Sequence, residues 1–120
     1  MDDTNNDSLV IRLVHGEDTV LFPGDAEEPS QQEILDASIP LEVDVLKVPH
    51  HGGATSLEEF LRAASADLAV VSVGENDYGH PVPEILGQLR ASGALVVRTD
   101  LVGDAVVGFG PEGPLLASAG

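Results

Sequence analysis

Three short apolar runs decide what this chain can fold into: VDVLKV at 43–48, DLAVVSVG at 67–74 and ALVVRTD at 94–100. Each is predicted to be a strand, and the continuous apolar character of the first two predicts burial on both faces. Helical signals fill the gaps between them. Ser30 with Glu33 fits a capping box opening QQEILDAS, and Ser56 with Glu59 fits a second one opening LEEFLRAAS, whose Leu57, Phe60 and Leu61 share one face. In PEILGQLRASG (83–93), Pro83 suits a first helical turn and Gly93 a C-terminal stop.

The flanks add more strands. SLVIRLV (8–14) and TVLF (19–22), joined by the turn HGED, predict an opening hairpin that PGD (23–25) ends. AVVGFG (105–110) follows a turn at LVGD. The expected order is ββαβαβαββ, an α/β domain with helices covering a sheet. It spans residues 8–110, between a polar N-terminal segment, 1–7, and a tail, 111–120.

Composition narrows the chemistry. The 120 residues suit one domain, and with only Phe22, Phe60, Tyr78 and Phe109 as aromatics the core has to be aliphatic. There is no cysteine, so disulfides and thiolate ligands are excluded and a metal site would draw on His, Asp and Glu. No apolar run approaches the roughly 20 residues that span a bilayer, and no signal-peptide pattern opens the chain. Twenty-one Asp and Glu against five Lys and Arg give a net charge of −16. Such a surface is well solvated and lacks the basic footprint of a nucleic-acid module that works by neutralising phosphates.

The polar residues with chemical potential fall at strand ends. Gly24-Asp25 follows the second strand, His50-His51 the third, and Asn76 to His80 the fourth. In an open α/β sheet the C-terminal strand ends are where sites assemble, so neighbouring strands would bring Asp25 and the histidines to one rim. A carboxylate with imidazoles and no thiolate suits Zn²⁺, Mn²⁺ or Fe, and a carboxylate can bridge two ions. Gly52 and Gly53 would let the backbone pass close to such a centre. His80, in YGHP, could hydrogen-bond a substrate oxygen, donate a proton, or pack a loop. Tyr78 is expected to cover the core edge, His15 to be an exposed turn residue, and Arg98 to pair with an acid. Asp25, His50 and His51 alone offer fewer ligands than a dinuclear centre usually needs.

In that order, NNDSLVIRL, VLFPGD, DVLKVPHHGG, AVVSVGENDYGHP and VVRTDLVGD resemble the C-terminal half of a metallo-β-lactamase-fold domain, an αββα sandwich. They are most similar to the soluble domain of ComEC-type competence proteins, the membrane channels that import single-stranded DNA. The resemblance covers roughly residues 5–108. It implies that Asp25 bridges two divalent ions, Zn or Mn, and that the HHG motif supplies a metal-binding histidine. We place that ligand at His51, with His50 behind it or facing the scissile phosphate, and the reverse assignment stays open. It implies a place near the substrate for His80, so that His50 or His80 would protonate the leaving oxygen.

Three departures bear on that expectation. The family's earlier HxHxDH-like motif is absent from these residues, TGD reads PGD with Pro23, and HHGS reads HHGG with Gly53. The first predicts a partial or empty metal centre in this chain, either as a piece of a longer protein or as a relative that has lost the motif.

The implied activity is metal-dependent hydrolysis of DNA phosphodiesters during uptake, in a plasma-membrane protein whose soluble part lies outside the bilayer. Its partners would be an N-terminal half-domain, the membrane channel and DNA, with self-association through an exposed sheet face. The net charge of −16 opposes a DNA substrate unless the remaining half supplies a basic path or high salt screens the repulsion. Two alternatives follow: a hydrolase of the same fold for a small phosphodiester or ester, and a non-catalytic acidic docking module.

Overall fold

A computed structural model of the chain describes residues 10–53, 56–74, 79–103, 105–111 and 113–119. Alternation along the strands builds it. β1 (Ile11–His15) and β2 (Asp18–Phe22) form the antiparallel opening hairpin, turning at Gly16 with φ 62°. β3 (Val45–Lys47), β4 (Leu68–Val71) and β5 (Leu95–Arg98) then add in parallel, giving one sheet in the order β1-β2-β3-β4-β5. Parallel neighbours need a long crossover. Here α1 (Glu28–Asp36), α2 (Glu58–Ala64) and α3 (Pro83–Ala91) supply it in turn.

Register sorts the side chains onto two faces. Leu21, Leu46, Ala69 and Val96 stand side by side across β2 to β5. They pack with Phe60, Leu61, Ile85 and Leu89 of the helices in the main core, where Phe60 and Leu46 are fully buried. The opposite face carries Val20, Val45 and Leu68, also in register. A separate hairpin of β6 (Ala105–Gly110) and β7 (Gly113–Ala119) covers that face, with Ala105, Val107 and Leu116 against Val45, Leu68 and Val97. Both faces of β3 and β4 are therefore packed, as their apolar runs predict.

The α/β class and the element order through β5 hold. Three local expectations do not. The tail 111–120 contains β7, which pairs with β6 in a two-stranded sheet of its own. The proline and glycines of GPEGP look like a terminus, but here they make the turn of a hairpin whose partner strand gives β7 its hydrogen bonds. Neither capping box forms: α1 and α2 begin after Glu27 and Leu57, without side-chain caps. Proline in its first turn starts α1 early, and the Ser56 hydroxyl is taken by a glutamine of α1. Finally, the run 94–100 does not continue as a strand but closes at Arg98 into a single turn, α4 (Thr99–Val102).

The hairpin leaves part of its face open. Ile11 and Leu13 lie directly opposite Phe22 and Val20 in the register, and Ile11, Leu13 and Phe22 are 47%, 52% and 42% exposed. An apolar strip thus continues from the covered region to the sheet edge at β1.

Candidate functional site

Because β2, β3, β4 and β5 are parallel, the segments that leave them emerge along one rim. The first is Pro23-Gly24-Asp25. Pro23 is buried, Gly24 adopts φ 61°, and the Ala26 amide donates to the Pro23 carbonyl at 3.2 Å. The tight turn that results leaves the Asp25 side chain 40% exposed, next to the fully buried Ala26.

β3 runs into a 3-10 turn, Pro49–Gly52, anchored by the buried ring of Pro49 and by the Val48 amide on the Val70 carbonyl at 2.8 Å. His51 sits in the left-handed region at φ 53°, a conformation a non-glycine residue adopts at some cost and one that concentrates at functional sites. That backbone twist turns the imidazole along the rim. Its Nδ1 lies 2.8 Å from the carbonyl oxygen of Ser72, just beyond β4. A carbonyl only accepts, so Nδ1 carries the hydrogen and Nε2 faces Asp25, 3.7 Å from its Oδ1.

Two further links tie the rim together. The Gly52 carbonyl accepts from the Val82 amide at 2.9 Å, and Gly52 packs against Pro81, which fixes the end of the segment carrying the half-buried His80. At the end of β5 the Thr99 hydroxyl accepts from the Val73 amide at 2.8 Å and lies 2.9 Å from the Val73 carbonyl. Beside it Arg98 pairs with Asp100 through two contacts, Nη2 to Oδ2 at 2.7 Å and Nε to Oδ1 at 3.1 Å. The hydrogen bonds hold the Asp100 carboxyl below its ordinary range and push the Arg98 guanidinium further up. Arg98 is thus an ion-pair residue, as its sequence context predicts.

The rim can be tested against the metal centre that the fold class implies. Two donors on one ion, each about 2.0–2.2 Å from it at a tetrahedral angle, stand about 3.4 Å apart. Asp25 Oδ1 and His51 Nε2, at 3.7 Å, fit that spacing. The Nδ1 contact to a backbone carbonyl is the usual way a ligating histidine is oriented. Among the described residues no third His, Cys, Asp or Glu joins them in a group able to hold an ion. The pair fits as part of a donor set and not as a whole one.

Of the other residues singled out by sequence, the side chain of His50 and all of Asn76 to Tyr78 lie outside the described residues. His80 is described but belongs to no three-donor group. His15 is exposed, as expected. A hollow of about 520 Å³ lies at the opposite end of the sheet, lined by Arg12, Glu17, Thr19, Glu42, Asp44 and Asp67. Its Asp44 is already committed to the amide and hydroxyl of Thr19, at 2.9 and 3.2 Å, so it serves the strand junction rather than the rim. Sequence reasoning missed Thr99, the Ser72 carbonyl and the buried Gln31; no local pattern marks any of them.

Comparison with known proteins adds to this geometry. Residues 1–75 match the family model described as the metallo-beta-lactamase superfamily. The chain is 37% identical over 98 residues to ComE operon protein 3 of Bacillus subtilis (strain 168), an alignment covering 80% of this chain and 13% of that protein. It is 36% identical over 114 residues to competence protein ComA of Neisseria gonorrhoeae, covering 92% and 16%. With recombination protein 2 of Haemophilus influenzae the identity is 34% over 107 residues, covering 88% and 13%. The chain therefore spans 13% to 16% of the length of these relatives.

Proposed function

This chain belongs to the metallo-β-lactamase superfamily, and from that premise we propose that its strand-end rim contributes Asp25 and His51 to a divalent-metal hydrolytic centre acting on DNA phosphodiesters. The observation that carries the proposal is the pairing of the two donors. His51 Nε2 stands 3.7 Å from Asp25 Oδ1 while its Nδ1 is held on the Ser72 carbonyl. The remaining donors come from outside the described residues, in keeping with the small share of its relatives that the chain spans.

Zn²⁺ or Mn²⁺ ions, when bound, would supply an activated water and neutralise the charge that builds on phosphate. The chain's own part is to hold and orient. Asp25 offers a carboxylate from a turn fixed by Pro23 and Ala26, and His51 offers an imidazole whose ring plane the Ser72 carbonyl sets. His50 and His80 are the proposed proton donors to the leaving oxygen. His80 directly precedes Pro81, which packs on Gly52.

DNA as substrate follows from relatives whose names refer to competence and recombination. In a whole protein of that type the domain would stand outside the bilayer beside a membrane channel; no described helix is long and apolar enough to cross a membrane. A net charge of −16 repels DNA, so the reading calls for a basic track from another part of the protein or for screening by high salt. That charge, with two converging donors among the described residues, favours one other reading: an acidic docking module that retains the rim without catalysis.

Calorimetric titration with Mn²⁺ and Zn²⁺ separates the two. Micromolar binding that Asp25→Ala and His51→Ala each weaken by tenfold or more supports the metal centre. Binding that is weak and indifferent to both substitutions rejects it and leaves the docking module.

A further inference from the structure

One buried polar side chain is not used by the rim chemistry. Gln31, in the first turn of α1, is 0% exposed in a mainly apolar interior. Its Nε2 donates to the Ala26 carbonyl at 2.9 Å and to the Ser56 hydroxyl at 3.1 Å, and its Oε1 accepts from the Leu57 amide at 2.8 Å. A glutamine amide has two donor hydrogens, and both are committed. Burying such a group is unfavourable unless its bonds are made, so a simple space-filling role would be served better by leucine or methionine.

The partners give the bonds a direction. Ala26 follows Asp25 in the turn after β2. Ser56 and Leu57 are where the segment that begins with His51 and Gly52 enters α2. One side chain thus bonds both donor-bearing segments, at Ala26 beside Asp25 and at Ser56 and Leu57 where the His51 segment enters α2. The side chains of His51 and Asp25 are half-exposed, 49% and 40%, so their separation depends on how the two segments that carry them are held.

We infer that Gln31 is a positioning residue that couples the Asp25 turn to the His51 segment and so sets the spacing of the two donors. This rests on the metal-centre reading for its consequence, but the coupling itself can be read without metal. Amide hydrogen exchange on the full chain has three reporters. The Ala26 amide, bonded to Pro23, reports the Asp25 turn, and the Val82 amide, bonded to Gly52, reports the His51 segment. The Leu68 amide, bonded to Asp44 at the other end of the sheet, is the control.

In Gln31→Met, which keeps the volume and removes the bonds, Ala26 and Val82 are expected to exchange at least tenfold faster while Leu68 is unchanged. The dissociation constant for Mn²⁺ is expected to rise at least tenfold. Equal acceleration at all three amides would mean that Gln31 contributes only to global stability, and overturns the inference. So would unchanged Mn²⁺ affinity in a folded variant. If the wild-type chain binds no Mn²⁺, the metal-centre reading fails, and the exchange pattern alone decides the coupling. Should Gln31→Met not fold, Ser56→Ala removes one of the three bonds; the same ordering of the reporters with a smaller acceleration supports the inference, and uniform acceleration rejects it.

Discussion

A β-carbon on Gly52 would stand 2.6 Å from the Cβ of Pro81. The HHG turn and the segment at Pro81 therefore interlock at a point where a side chain has no room. The sequence suggests a different reason for this glycine, close passage of the backbone beside a metal centre. The structure shows a second reason, contact with Pro81, reinforced by the Val82 amide on the Gly52 carbonyl at 2.9 Å. That contact ties the turn after His51 to the segment that follows His80.

Gly52→Ala is consequently expected to be costly. The residue has φ +81°, and its new methyl would meet the Pro81 ring and Val71. Backbone strain and overpacking together predict a loss of about 2–4 kcal/mol in urea unfolding. Gly79→Ala is a useful contrast: it also has positive φ, at +79°, but among the described residues nothing lies within 4 Å of its β-carbon. It should show the strain part alone.

Thr99→Val removes a hydroxyl and keeps the shape. The Val73 amide then loses its acceptor in a half-buried position. Leaving such a donor unsatisfied costs about 1–3 kcal/mol. Thr99→Ser, which retains the oxygen, should recover most of the stability measured in the same unfolding experiment.

The Arg98 and Asp100 pair predicts a pH effect of definite sign. The hydrogen bond from Arg98 lowers the folded-state pKa of Asp100 below its unfolded value. The resulting stabilisation is present above the ordinary aspartate pKa, about 3.9, and is lost as pH falls through the folded value. Thermal midpoints of wild type and Asp100→Asn should therefore differ at pH 7 and converge as the pH falls below the ordinary aspartate range. Added salt should narrow the pH 7 difference, because the pair is near the surface.

The strip of Ile11, Leu13 and Phe22 predicts association of the isolated chain. Contiguous apolar surface of this kind marks contact sites. Sedimentation velocity should show a weight-average coefficient that rises with concentration, and Leu13→Thr combined with Phe22→Thr should suppress the rise. A concentration-independent monomer for wild type would show that the strip is too small to drive pairing.

The strands and helices were legible because each satisfies a local rule. Val45-Leu46 and Leu68 to Val71 are apolar on both faces, and Pro83 and Gly93 bracket α3. The conjunction of Asp25 and His51 was legible too, since strand ends in a parallel sheet point one way. β7 was not, because its hydrogen bonds belong to a partner strand across a turn that reads as a terminus. Nor were the capping boxes judged correctly. Ser56 had the right spacing to Glu59, but a core glutamine claimed its hydroxyl.

By itself, then, the sequence determined the element order through β5, the mainly aliphatic core, the exclusion of thiolate chemistry and the candidates Asp25, His50, His51 and His80. These depend on residue type and on spacing within one element. Only the tertiary structure decided that His51 turns its Nδ1 to Ser72 and its Nε2 to Asp25, that Gly52 seats Pro81, and that Gln31 ties two loops together. Each of those joins residues from different crossovers of the sheet, and their separation is set by packing and register, which no stretch of local sequence encodes.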